Sequence, residues 1–98
     1  MAKLKTEIEC LERYAELMGG VEEIFVFLSL EKLVTREEML RVKGNDAALC
    51  KALSTILRDL RLKDKVQMLE YEWQILPVER IKITVVTDTA KKEFAYNH

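Results

Sequence analysis

Lys51, Ser54, Thr55 and Arg58 share one side of a stretch whose other side is Leu49, Cys50, Leu53, Ile56, Leu57 and Leu60, with Ala48 and Ala52 among the small residues of the first side. The chemistry on offer is recognition. Small residues let a backbone come close to another surface, lysine and arginine donate to phosphate or to the guanine edge, and hydroxyls bond to either. The alternative for each residue is an ordinary solvated helix face. Asn45, at the start of the stretch, joins the candidate set. Arg36, Lys43 and Lys63 lie near helix ends, where they would grip phosphates or only decorate those ends. Arg80 and Lys82 could touch a nucleic-acid backbone, but Glu70 and Glu72 are available to pair with them.

Nothing in the chain favours catalysis. It has one histidine, His98, at the C-terminus, no Ser or Cys with an evident base, no Gly-rich phosphate loop and no carboxylates at metal-ligand spacing. Cys10 and Cys50 are isolated, without a CxxC, so zinc is not expected, and no cofactor is expected either. Glu22-Glu23 and Glu37-Glu38 are adjacent pairs that face different directions on a helix and read as solubility and capping. The expectation is a protein that is not an enzyme.

Composition narrows the class further. The 98 residues are 49% hydrophobic and 34% charged, values of a globular chain. One domain of this size buries about 60–65% of its unfolded surface. The longest apolar run, Ile24 to Leu30 with Ser29 inside it, is far too short to cross a bilayer. The Met-Ala-Lys-Leu-Lys-Thr-Glu start has no apolar core of a secretion signal, so a cytoplasmic location is expected, in a host cell if the source is viral. Net charge is −1, which gives no global argument for nucleic acid. Its distribution is uneven: from Arg41 to Lys65 seven basic residues face three acids, while Glu7, Glu9, Glu12, Glu16, Glu22 and Glu23 concentrate near the N-terminus. The scarcity of side-chain amides (Asn45, Asn97, Gln67 and Gln74) fits a thermophilic source.

The elements that position these residues follow from periodicity. A helix is expected from about Lys3 to Met18, stopped by Gly19-Gly20. Leu4, Ile8, Leu11, Ala15 and Met18 are spaced as a heptad seam, widened by Cys10, Tyr14 and Leu17. The seam serves either the domain's own core or a homodimer contact; the candidate interface is Leu4, Ile8, Cys10, Leu11, Tyr14, Ala15 and Met18, and Cys10 either stays a free thiol or forms an intersubunit disulfide. A helix apolar on most sides, Val21 to about Leu33, is the expected core helix. Thr35 and Glu38 form a capping box that opens a short helix. Gly44 frees a turn before the helix of about Asn45 to Leu62, which carries the basic face. The period then changes to two. Leu69, Tyr71, Trp73 and Ile75, then Ile81, Ile83 and Val85, predict a hairpin turned at Leu76-Pro77-Val78-Glu79, with Glu72 opposite Lys82. Trp73 shares the inward side with Tyr71, as core or interface. Thr87 or Asp88 is expected to cap a last short helix, Thr89 to Tyr96.

Core helix, short capped helix, glycine turn, longer helix and hairpin is the order of a winged helix-turn-helix. On Val34-Thr35-Arg36-Glu37-Glu38-Met39-Leu40 as positioning helix, Ala48-Leu49-Cys50-Lys51-Ala52-Leu53-Ser54-Thr55-Ile56-Leu57-Arg58-Asp59-Leu60 as reading helix, and Val85-Val86-Thr87-Asp88-Thr89-Ala90-Lys91-Lys92-Glu93-Phe94 as the end of the wing, the chain resembles the small winged-helix transcription regulators of bacteria, archaea and archaeal viruses. The likeness spans about Val21 to Phe94, and Ala90 stands where that family usually has glycine. It implies an α+β winged helix-turn-helix, a three-helix core plus two-stranded wing, with an extra N-terminal helix. As one domain, 1–98, it would divide into a dimerisation helix (1–19), a helical core (21–62), a wing hairpin (65–87) and a short C-terminal helix or tail (88–98). The implied function is a homodimeric regulator that reads the major groove of double-stranded DNA with the helix of about 45–62. A second copy and DNA are the implied partners, with no membrane and no metal. The competing expectation is a winged-helix protein-interaction module that does not bind DNA.

Overall fold

The computed structural model of the chain describes residues 6–41, 44 and 46–97, the side chains of Met39 and Asp46 excepted. Its elements are α1 (Glu7–Met18), α2 (Glu22–Leu30), α3 (Arg36–Leu40), α4 (Asp46–Leu62), β1 (Val66–Gln74), β2 (Arg80–Thr87) and β3 (Lys91–Asn97). The strands form one antiparallel sheet in the order β1-β2-β3. Among the described residues this is an α+β fold of four helices and a three-stranded sheet. No described helix is long and apolar enough to cross a membrane.

Local chemistry sets the helix ends. Thr6 caps α1, its Oγ1 accepting from the Glu9 amide at 3.2 Å while Glu9 accepts from the Thr6 amide, and Gly19 ends the helix in the left-handed region at φ 80°. Helix α1 therefore begins at Glu7, where a start at about Lys3 was expected, because the extended Thr6 caps it; Lys3 and Leu4 themselves lie outside the described residues. The Thr35–Glu38 capping box forms as expected, with Thr35 Oγ1 accepting from the Glu38 amide at 3.2 Å and Glu38 Oε1 from the Thr35 amide at 2.9 Å. Gly44 takes the positive φ expected of it, 86°. Helix α2 ends three residues earlier than its apolar pattern suggests. The amides of Lys32 and Leu33 turn back to the carbonyls of Ser29 and Leu28, a Schellman closure with Lys32 left-handed at φ 60°. Helix α4 closes in the same way, with Asp64 at φ 57° and the amides of Asp64 and Lys65 bonded to Arg61 and Leu60.

The expected C-terminal helix is a strand. Thr87 does not cap a helix: its amide donates to the Ala90 carbonyl at 2.8 Å and its Oγ1 accepts from the Ala90 amide at 3.1 Å, which closes a hairpin turn. Beyond the turn, Ile83 pairs with Phe94 and Ile81 with Tyr96. The two-residue spacing of Phe94 and Tyr96 puts both on the inner face of the sheet, where Phe94 meets Phe27 edge to face with centroids 5.9 Å apart. The sheet is therefore a three-stranded meander where a two-stranded wing was expected.

Helix α1 belongs to the core. Arg61 at the end of α4 pairs with Glu7 at the start of α1, while Ala47 and Cys50 at the start of α4 border Glu12, Ala15 and Glu16, so the two helices run antiparallel. The sheet packs along α1 as well. Cys10, Leu11, Tyr14 and Ala15 are 2%, 0%, 1% and 5% exposed within the single chain. These four side chains are thus unavailable to the dimer interface expected of them. The apolar stripe is wide because it has two intramolecular surfaces to cover, α4 and the sheet. Among the described residues of the expected interface, Ile8 is half-buried and only Met18 is exposed. Both cysteines are buried in the single chain.

Candidate nucleic-acid interface

Helix α4 is amphipathic by simple spacing. Leu49, Cys50, Leu53, Leu57 and Leu60 are buried in the main core with Leu11, Ile24, Phe25 and Leu28. That burial holds the opposite side outward. Lys51, Thr55 and Arg58 are exposed on it, four and three residues apart, with Ala48 and Ser54 half-buried beside them. The three outward positions span about 10 Å of helix at about 1.5 Å per residue. Lys51 and Arg58 have no ion-pair partner among the described residues. The Thr55 hydroxyl donates to the Lys51 carbonyl at 3.1 Å, which leaves its oxygen lone pairs and methyl group to the outside.

An open groove of about 400 Å³ runs between α3 and this face, lined by Glu38, Arg41, Ala48, Lys51, Ala52, Thr55 and Ile56. Its one carboxylate among the described residues, Glu38, is engaged in the capping box. Arg41 supplies a second cation at the groove. In the sequence Arg41 belongs to the basic region without standing among the candidate contacts, and its place between the short helix and the glycine turn is the signal that marks it.

The remaining candidates are dispersed. Lys43 and Asn45 lie outside the described residues. Arg36 is exposed but lines a different depression, of about 230 Å³, with Phe25, Val26, Ser29 and Leu30. Lys63 is exposed just beyond α4. Arg80 and Lys82 lie on the open face of the sheet, away from the groove, in a depression shared with Glu72 and Glu93. Lys82 stands 3.8 Å from Glu72, its expected cross-strand partner.

Two carboxylates that sequence reasoning did not single out fasten the sheet to the helices. Arg13 of α1 donates to both oxygens of Glu79 at 2.7 and 2.6 Å, and Trp73 Nε1 adds a bond of 3.0 Å. The hairpin end between β1 and β2 is thereby tied to α1. These bonds, from Arg13 first, hold the Glu79 carboxyl below the usual carboxylate range, and they raise the Arg13 guanidinium in turn. At the opposite end, Glu31 accepts from Thr89 Oγ1 at 2.6 Å and Thr87 Oγ1 at 2.7 Å, and its carboxyl is lowered for that reason. Tyr71 is half-buried near Glu7, Arg61 and Cys10, and burial pushes its hydroxyl well above the ordinary tyrosine value.

The chain matches no known protein-family profile, no curated protein and no solved structure at a significant level.

Proposed function

We propose that the chain is a double-stranded DNA-binding transcription regulator built as a winged helix-turn-helix, in which α3 and α4 are the helix pair and α4 enters the major groove. The observation that carries this reading is the outward face of α4. It bears small side chains, the hydroxyls of Ser54 and Thr55, and two cations that are unneutralised among the described residues, beside a groove to which Arg41 adds a third. An exposed cationic face next to small residues suits phosphate contact flanking a close backbone approach. The hairpin plays a lesser part. Glu72 offsets Lys82, and the hairpin end is held on α1 through Glu79.

Electrophoretic mobility of DNA fragments across salt concentrations tests the reading. Binding should weaken steeply with salt, each phosphate contact contributing about 0.9 to the logarithmic slope. Lys51→Ala and Arg58→Ala should each weaken binding by about tenfold, whereas Lys82→Ala should change little. A folded protein that binds no DNA at low salt would leave the protein-interaction module as the better account.

A further inference from the structure

The outward face of α2 carries apolar side chains where a surface helix is normally polar. Val26 and Leu30, one helical turn apart, are 48% and 76% exposed. Beside them lies a depression of about 230 Å³, lined also by the buried Phe25 and Val34 and by Ser29 and Arg36. The two ends of this face carry opposite charge. Glu22, exposed in the first turn of α2, and Arg36, exposed beside Leu30, have no ion-pair partner among the described residues. Lys32, exposed just past Leu30, adds to the cationic end, while Glu23 accepts from the Tyr14 hydroxyl.

Such a face is complementary to itself. Val26 lies one turn, about 6 Å along the helix, from both Glu22 and Leu30. An antiparallel copy of α2, turned about a twofold axis through Val26, therefore lays its Glu22 over Leu30 and next to Arg36. The symmetry repeats the pair at the other end and sets Val26 against the copy's Val26. We infer that the outward face of α2 docks a second copy of this chain, through Val26 and Leu30 at the centre and a Glu22–Arg36 ion pair at each end. Burial of the α1 seam removes the surface first expected to join two copies, and this face supplies another. It also gives Arg36 a role other than the phosphate grip expected of it. The depression is separate from the groove beside α4, so the pairing does not depend on the DNA reading.

The opposed ends make a charge-specific prediction. A helix of nine residues gives a small interface, so a dissociation constant in the micromolar range is expected. Sedimentation equilibrium of the full chain at rising concentration should reach twice the chain mass. Arg36→Glu and Glu22→Arg should each raise the dissociation constant about tenfold, because each sets like charges together at two symmetric places. The double variant, Glu22→Arg with Arg36→Glu, should restore association to within about threefold of the parent chain, with circular dichroism confirming the fold of all three. A parent chain that stays monomeric overturns the inference, as does a dimer that the single variants leave unchanged or that the double variant fails to restore. A monomer that binds DNA overturns only the α2 pairing; a dimer with the stated charge dependence that binds no DNA overturns only the DNA reading.

Discussion

Glu31 and Glu79 connect helices to opposite ends of the sheet, and both hold their donors more strongly as anions. Each carboxyl is lowered by its donors, hydroxyls for Glu31 and chiefly a guanidinium for Glu79. A carboxylate whose folded-state pKa is depressed stabilises the fold above its unfolded value, about 4.3 for glutamate, and loses that contribution as pH falls through the folded value. The thermal midpoint should therefore be level from neutrality down to about pH 5 and fall below about pH 4. Glu79→Gln should lower the midpoint at pH 7 and make the acid-side fall shallower. An acid limb of unchanged depth in that variant would rule out the Arg13–Glu79 link as one of its sources. None of this was legible in the chain, because Arg13 and Glu79 are 66 residues apart and Glu31 and Thr87 are 56 apart.

The helices were legible where local rules act. The Thr35–Glu38 capping box, the glycine stop of α1 and the buried stripe of α4 each follow from residues within one or two turns of each other, whereas the Thr6–Glu9 box was not read from the sequence. The end of α2 was not, because its closure uses a non-glycine residue, Lys32, in the left-handed region. That conformation costs an L-residue about 1–2 kcal/mol, and glycine avoids the cost. Lys32 is exposed, so Lys32→Gly forfeits no packing. Chemical denaturation should show a gain of about 1 kcal/mol for Lys32→Gly, and a smaller gain for Asp64→Gly, since aspartate tolerates the region better. Loss of stability in Lys32→Gly would mean that the lysine side chain contributes more than the strain it causes. β3 was misread for a related reason. Thr87 has the side chain of a helix cap, and the same hydroxyl chemistry closes a hairpin when the residues beyond it alternate.

At the scale of the molecule, α1 is the element whose role changed most. A heptad seam looks alike whether its partner is another copy or the rest of the same chain, and here the partner is α4 together with the sheet. Leu11 is fully buried, so Leu11→Glu places a charge in the core without a partner. Its expected effect is loss of the cooperative thermal transition. A folded Leu11→Glu monomer would instead restore the intersubunit role for α1. The outward face of α4, by contrast, stays exposed, and the proposed DNA contact rests on it.

The amphipathic helix of about 45–62 was determined by sequence alone, because its apolar and basic residues alternate at the helical period and its stop is set by residues next to it. The same holds for the capped α3 and for the β1–β2 pairing that puts Glu72 beside Lys82. Tertiary structure decided the rest. It placed Arg41 on the groove beside Lys51, moved Arg80 and Lys82 to a separate face, and gave the α1 stripe to the interior. It also turned the C-terminal segment into an edge strand. Each of these depends on contacts between residues far apart in the chain, where burial of apolar surface outweighs local propensity.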